Sequence, residues 1–431
     1  MALTWRAAAL VLLGLFPVAQ WPSMTTVRWW VLGCLLVFLA DLLLAPKPSS
    51  LSLDRSADTQ VRLGEPASTT LRVGNPGRRR VRGRMRDAWV PSAGARGDPH
   101  TVDIPGGERR RFTTDLLPTR RGDRRTDAVT LRLTGPLGIA ARQQSFRVPG
   151  SVRVLPPFHS RKHLPSRLAQ LRQIDGRSAV RTRGQGTEFD SLRDYVEGDD
   201  VRSIDWRATA RRQHVVVRTW QPERDRRVIL VLDTSRTSAA RIEDQPRLDA
   251  AMDSALLLAA LASRAGDRID LIAGDRQIRG RVTPNTDRTA LLHQLVTVMA
   301  PIEPVLVEAD WTMLAGRVTA LTRRRALVVL LTALEPAAVE EGLLPVLPAL
   351  TAHHRVVLAS VADPELGRMR EDLSDLEHVY DAAAAERTIS LRRRTGDALE
   401  RMGVHVLEAD PEALPPMLAD HYLALKAQGL L

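Results

Sequence analysis

Val228-Ile229-Leu230-Val231-Leu232-Asp233-Thr234-Ser235-Arg236-Thr237 sets the architecture of the C-terminal half of the chain. Val228–Leu232 is wholly apolar, rich in β-branched residues, and does not alternate with polar ones. A strand of that kind is buried on both faces and belongs to a parallel sheet covered by helices. It runs straight into a carboxylate, Asp233, and two hydroxyls, Ser235 and Thr237. Open α/β sheets bind ligands beyond the C-terminal ends of their strands, and oxygens so placed can converge on one hard cation such as Mg²⁺. The alternative reading is that Asp233 and Ser235 cap the next segment and hold the loop.

The residues that follow keep the same alternation. Arg247–Ala265 has a helical apolar face, Arg268–Ala273 is a strand, and Asp287–Ala300 is a helix with Asp287 at its N-terminus. Trp311–Leu321 is helical, and Ala326–Leu331 and Arg355–Val361 are strands. Ala382–Met402 is a helix, Val404–Leu407 a strand and Pro411–Gln428 a last helix. Residues 228–431 therefore predict an α/β domain built on a doubly wound, mostly parallel sheet.

Upstream the pattern changes. Residues 158–227 are polar and Arg-rich, with His214–Trp220 as the one strong strand. Residues 46–157 read as many short strands separated by turns such as Asn75-Pro76-Gly77 and Pro105-Gly106-Gly107, which predicts a β-sandwich. Residues 1–45 hold two apolar runs, Ala7–Ala19 (Leu3–Trp21 at its widest) and Val27–Ala45. A membrane-spanning helix needs about 17–25 residues, and Trp5, Trp21, Trp29 and Trp30 stand where an interfacial belt would put them. The pair predicts a transmembrane helical hairpin. The first run by itself resembles a signal peptide, but the second follows at once. Asp41 is expected to reach the membrane interface. Arg6, Lys47, Arg55 and Arg62 flank the outer ends, against Arg28 alone at the turn, which predicts a two-helix cell-membrane protein with its soluble part in the cytoplasm.

The chain has 431 residues, 44% hydrophobic and 26% charged, with a net charge of +12. That balance excludes a disordered chain, and one cysteine excludes a disulfide framework. The basic excess raises nucleic acid or an anionic membrane surface as partners. Arg vastly outnumbers Lys along the whole chain, as GC-rich codon usage produces, and no aromatic platform interleaves the basic run Arg78–Arg86. Nucleic acid is therefore disfavoured.

Two motifs carry resemblances. Asp233-x-Ser235-x-Thr237 resembles the metal-ion-dependent adhesion site of von Willebrand factor A domains, with Thr237 in place of the last Ser. That resemblance implies a further Thr, for which Thr312 is the candidate, and a carboxylate after the central strand, where this chain has Ala333. A cation site lacking that carboxylate is degenerate. The second motif runs Gly184-Gln185-Gly186-Thr187-Glu188-Phe189, Leu192-Arg193-Asp194-Tyr195, Gly198-Asp199-Asp200-Val201-Arg202, Ile204-Asp205-Trp206-Arg207 and Ala208-Thr209-Ala210-Arg211, followed by Val215–Arg218 and Glu223-Arg224-Asp225. It closely resembles the signature of the family catalogued as domain of unknown function 58, which sets it ahead of a von Willebrand A-like domain. That family often has two N-terminal membrane helices and an intervening β-rich segment.

Physically, Arg193, Arg202, Arg207, Arg211 and Arg218 can pair with Glu188, Asp194, Asp199, Asp200, Asp205 and Glu223. Phe189, Tyr195, Ile204 and Trp206 would anchor the segment against the sheet. The set is either a docking surface or anion site, or an internal clamp between domains. The family resemblance implies an adaptor acting with a MoxR-type AAA+ ATPase in assembly or maturation of a client. The rivals are a divalent-metal-dependent hydrolase using Asp233 and a nucleic-acid binder. No phosphate loop, nucleophile elbow or zinc-binding His spacing occurs, so the expectation is not an enzyme.

Overall fold

The structure, a computed structural model, describes residues 2–56, 58–181, 188–221, 226–243, 245–283 and 288–431. It divides into two compact units, Met1–Leu155 and Pro156–Leu431, so the apolar N-terminal runs and the β-rich segment form one body.

In the first unit, β1 (Ala2–Leu3) precedes the helices α1 (Trp5–Leu12), α2 (Leu15–Gln20) and α3 (Met24–Leu44). Nine strands follow: β2 (Ser52–Arg55), β3 (Thr59–Arg62), β4 (Ala67–Gly74), β5 (Val81–Trp89), β6 (Ala95–Arg96), β7 (His100–Ile104), β8 (Arg109–Leu116), β9 (Gly122–Thr134) and β10 (Ala140–Leu155). One sheet has the order β1-β10-β9-β5-β7 with β3 also on β10, and the other β2-β4-β8-β6. Leu71 and Val73 of β4 share a core with Met85, Val102, Ile104, Leu131 and Leu133 of the larger sheet, the two-layer arrangement of a sandwich. The alternation that marked these strands in the sequence is the alternation of core and solvent faces.

Among the described residues one helix, α3, is long and apolar enough to cross a membrane, within the stretch Met24–Ser50. Its 21 residues span about 31 Å at the α-helical rise, close to the thickness of a bilayer core. The first apolar run is shorter and broken into α1 and α2. It lies against α3 closely enough that a Cβ at Gly14, between α1 and α2, would collide with the Trp30 indole.

Asp41, near the end of α3, is expected from the sequence to reach the membrane interface; it is instead fully buried against the protein's own backbone. Its carboxylate accepts the backbone N–H groups of Leu137, Ile139 and Ala140, each at 2.8 Å. These donors lie in the β9–β10 turn and at the first residue of β10. Thr4 at the start of α1 donates its hydroxyl to the Gly138 carbonyl of the same turn, 2.6 Å away.

The second unit opens with α4 (Leu164–Arg181), which the sequence reading left unassigned. Leu164, Leu168 and Leu171 supply its inward stripe, and the polar residues between them mask the period. Next come β11 (Glu188–Asp194), α5 (Trp206–Arg212) and β12 (Val216–Gln221). The last agrees with the expected strand, and β11 is its antiparallel partner.

The main sheet begins with β13 (Arg227–Asp233). A small ladder of β14 (Arg241–Ile242) and β15 (Gln245–Pro246) leads into α6 (Arg247–Arg264). There follow β16 (Arg268–Gly274), β17 (Ile278–Val282), α7 (Arg288–Met299), α8 (Trp311–Leu321), β18 (Leu327–Leu331), α9 (Pro336–Ala338), α10 (Leu347–Thr351), β19 (Arg355–Val361), α11 (Glu365–Glu371), α12 (Leu376–Arg401), β20 (Val404–Ala409) and α13 (Leu414–Ala427). The sheet order is β17-β16-β13-β18-β19-β20, parallel throughout except for β17. Ile229, Val231, Val328 and Leu358 face a core shared with α8, α10 and α12, while α6 packs on the sheet and on α13. Both faces are covered, as the unbroken apolar strands require. Asp287 lies outside the described residues.

Candidate functional site

The strand order reverses between β13 and β18, and in open α/β sheets that switch point is where a crevice opens beyond the strand ends. Asp233 ends β13 there. Leu232 is in register with Leu331, so the next residues, Asp233 and Thr332, stand side by side. The Asp233 carboxylate is 1% exposed overall as a residue, and three protein donors use it. Oδ1 accepts the Ser235 N–H at 2.8 Å. Oδ2 accepts the hydroxyls of Thr237 at 2.9 Å and Thr332 at 2.6 Å. The Ser235 and Thr237 hydroxyls are 3.1 Å apart, and Ser238 donates to the Asp233 carbonyl at 2.7 Å.

A cavity of about 240 Å³ opens over this cluster, lined by Asp233, Ser235, Thr237, Thr332, Ala333 and Glu341 among others. An ion pair between Arg236 and Glu308 stands at its rim. Behind the loop, Thr234 donates to buried Asp275 at 2.8 Å. Burial pushes the Asp275 pKa up, but the bonds from Arg279, Thr234 and the Gln277 N–H outweigh it and hold the carboxyl below its ordinary value. Arg247 donates to the Thr237 carbonyl at 2.9 Å, and Arg392 bonds Glu335 at 2.6 Å. Burial lowers the Arg247 pKa, helped by neighbouring Arg392, and raises that of Glu408.

Asp233, Ser235 and Thr237 are thus brought together as the sequence predicts. Thr312 is not: it is exposed on the first turn of α8, where Asp310 caps the helix through the Met313 N–H. The hydroxyl that joins the cluster is Thr332, which the sequence reading passed over. Its signal was a hydroxyl directly after an unbroken apolar strand.

As a cation site the set is partial. It offers one carboxylate and three hydroxyls, and among the described residues no group of three His, Cys, Asp or Glu side chains could hold a metal ion. Both Asp233 oxygens already accept hydrogen bonds, so a cation would have to draw the hydroxyl lone pairs inward and find further charge elsewhere.

The signature residues form a separate hairpin. Asp205 caps α5 by accepting the N–H groups of Arg207 at 3.0 Å and Ala208 at 2.9 Å, and it also accepts Arg218 at 2.9 Å. The Ala208 N–H and Arg218 hold the Asp205 carboxyl below its usual pKa. Asp199 binds Arg193 and the Val196 N–H, which lower its pKa in turn. Asp200 accepts the Arg202 N–H at 2.9 Å. Gly198 has φ of +105°, a backbone setting that favours glycine.

The pairs close within the hairpin, and of the expected anchors Ile204 is half-buried beside Val217 while Trp206 and Tyr195 turn outward. Trp206 is 68% exposed and Tyr195 38%. The cap at Asp205 sets the helix so that Ala208 and Thr209 face the strands, with Thr209 accepting the Val216 N–H, while Trp206, Arg207, Ala210 and Arg211 face away. Arg202, Arg207 and Arg211 have no side-chain partner among the described residues. Gly184–Thr187 and Glu223-Arg224-Asp225 lie outside the described residues, as do the side chains of Glu188 and Phe189.

Residues 191–399 match the profile of a family described as protein of unknown function DUF58. Proteins of Mycobacterium bovis and Mycobacterium tuberculosis, both described as uncharacterized, are each 30% identical to this chain over 187 residues, 42% of this chain and 56% of theirs. Uncharacterized protein YeaD of Bacillus subtilis is 22% identical over 125 residues, 29% of this chain and 31% of its own. The aligned part of the chain thus spans little more than half the length of the mycobacterial relatives. Among solved structures, a FixG-related protein from Vibrio parahaemolyticus aligns at a TM-score of 0.17 and 13% identity, over 24% of this chain and 94% of that one, a likeness too slight to define the fold.

Proposed function

We propose that this chain is a membrane-anchored, cytoplasm-facing interaction protein with a von Willebrand A-like domain, an adaptor that acts with a MoxR-type AAA+ ATPase in assembly or maturation of a client. The observation that carries this reading is the outward face of α5. Trp206, Arg207 and Arg211 stand exposed with no side-chain partner among the described residues, and Trp and Arg are the side chains that concentrate binding energy in protein interfaces.

The placement of Asp233, Ser235 and Thr237 at the switch point, on the central strand of a sheet covered on both faces, supports the von Willebrand A-like assignment. Mg²⁺ would be held there by Asp233, Ser235 and Thr237 only when a partner adds a carboxylate, which makes cation and partner bind together. The two-helix hairpin is supported by the β9–β10 turn. That turn binds Thr4, ahead of the first apolar run, and Asp41, at the end of the second, so the outer ends of both runs lie on one side.

The test is retention of a purified MoxR-type ATPase by the full chain in detergent. Wild type should retain it. The double variant Trp206→Ala/Arg207→Glu should lose it while melting as wild type does. Absence of retention by the wild-type chain overturns the reading.

A further inference from the structure

We propose that the outer face of the larger sheet of the first unit binds the phosphate group of an anionic lipid through Arg84 and Arg132. The inference rests on the membrane-anchored reading. Arg84 and Arg132 are directly opposite each other in the β5–β9 ladder. Their neighbours Met85, Leu131 and Leu133 are fully buried in the core, so alternation sends both guanidinium groups to the other face. Like charges directly opposed across a ladder repel. Elsewhere on β5 such charge has an acidic neighbour: Arg82 lies 3.8 Å from Asp103 and Arg86 3.7 Å from Asp98. Arg84 and Arg132 have no carboxylate partner among the described residues, and the next strand over sets uncharged Gln143 opposite Arg132.

The location supplies the missing anion. Arg132 donates to the Leu3 carbonyl, immediately ahead of the first apolar helix. Arg6 donates to the Leu137 carbonyl at 3.2 Å, in the turn that Asp41 of α3 clasps. Leu3, to which Arg132 bonds, Leu137, to which Arg6 bonds, and Trp5 between Leu3 and Arg6 in the chain are 62%, 52% and 77% exposed, the composition of a headgroup-level surface. A guanidinium pair there matches the two free oxygens of a lipid phosphate, with the acyl chains running along the apolar helices. Anchoring by α3 keeps the site at the bilayer, so even a weak individual contact is occupied.

The experiment places the full chain in nanodiscs of phosphatidylcholine alone, or of an equal mixture with phosphatidylglycerol, and measures amide exchange over residues 81–89 and 122–134 together with the lipid retained after detergent extraction. Phosphatidylglycerol should slow exchange in both strands and be retained in preference to phosphatidylcholine. Arg84→Gln/Arg132→Gln should abolish the preference, and Arg111→Gln on the other sheet should not. In phosphatidylcholine alone, Arg84→Gln should melt no lower than wild type, because it removes an uncompensated repulsion. A chain that enters both discs yet shows no preference, or a double variant that keeps it, overturns the lipid site and leaves anchoring intact. Inorganic phosphate reproducing the protection in phosphatidylcholine discs shows a free-anion site and overturns the lipid assignment. Failure to enter either disc removes the anchoring reading and the lipid site with it.

Discussion

The Asp233 loop and the Asp205 hairpin are made of the same residue types and treat them in opposite ways. At the end of β13 a carboxylate and its hydroxyl donors are sunk in the unit: Ser235, Thr237 and Thr332 are at most 8% exposed. At the start of α5 a carboxylate also takes two backbone N–H groups, but its arginine partner keeps 47% of its side chain in solvent, and the tryptophan beside it faces outward. A saturated carboxylate in a buried loop mainly holds backbone in place. The same group at the surface leaves neighbouring side chains free to meet something else. The contrast predicts that the first region governs stability and the second governs association.

The largest effect belongs to Asp233→Ala. It strands the Thr237 and Thr332 hydroxyls and the Ser235 N–H inside the unit, and about 3 kcal/mol of stability should be lost, read by denaturant unfolding. Asp205→Ala removes a helix cap and a solvent-screened ion pair, which should cost clearly less stability than Asp233→Ala, read by the same unfolding curve. If the second variant cost as much as the first, the hairpin would be a buried clamp after all. Trp206→Ala should change stability by less than about 0.5 kcal/mol while abolishing ATPase retention; a large drop in melting temperature would show that Trp206 packs inward.

Calorimetry on the full chain should find no tight Mg²⁺ binding without a partner. Tight binding that disappears in Asp233→Ala would show a complete cation site and would break the comparison at its first term. The smallest effect is in acid. The folded pKa values of Asp199 and Asp205 lie below the ordinary carboxylate value, so their contribution is present above the unfolded value and is lost as pH falls through the folded one. Amide exchange over residues 188–221, corrected for its intrinsic pH dependence, should rise only below about pH 4. A rise near neutral pH would point to another group.

The acid response of the wider α/β unit has the same sign for a different residue. His421 stacks on His405 with ring centroids 4.1 Å apart, and burial, then His405 and Arg355, push its pKa down to about 4. The folded state therefore prefers the neutral ring, and the stability it contributes is lost between the ordinary histidine value and about pH 4.

Much of this architecture is local, and local pattern is what a sequence displays. The unbroken run Val228–Leu232 demanded cover on both faces, and the helices on either side of the sheet supply it. The turn residues of 46–157 separate strands that do form two layers over one core. The apolar length of α3 is legible by counting. Asp233-x-Ser235-x-Thr237 could be read as a cluster because its members are adjacent on one loop. What tertiary structure alone decided is which distant groups meet. Thr332 joins Asp233 from 99 residues away, through the parallel register of β13 and β18, and no periodicity announces a register. Asp41 was legible as a charge in an apolar helix, but its three acceptor bonds depend on where the β9–β10 turn folds back. Trp206 reads as a core anchor by hydrophobicity; the cap at Asp205 sets the helix phase, and that phase turns the indole out to solvent.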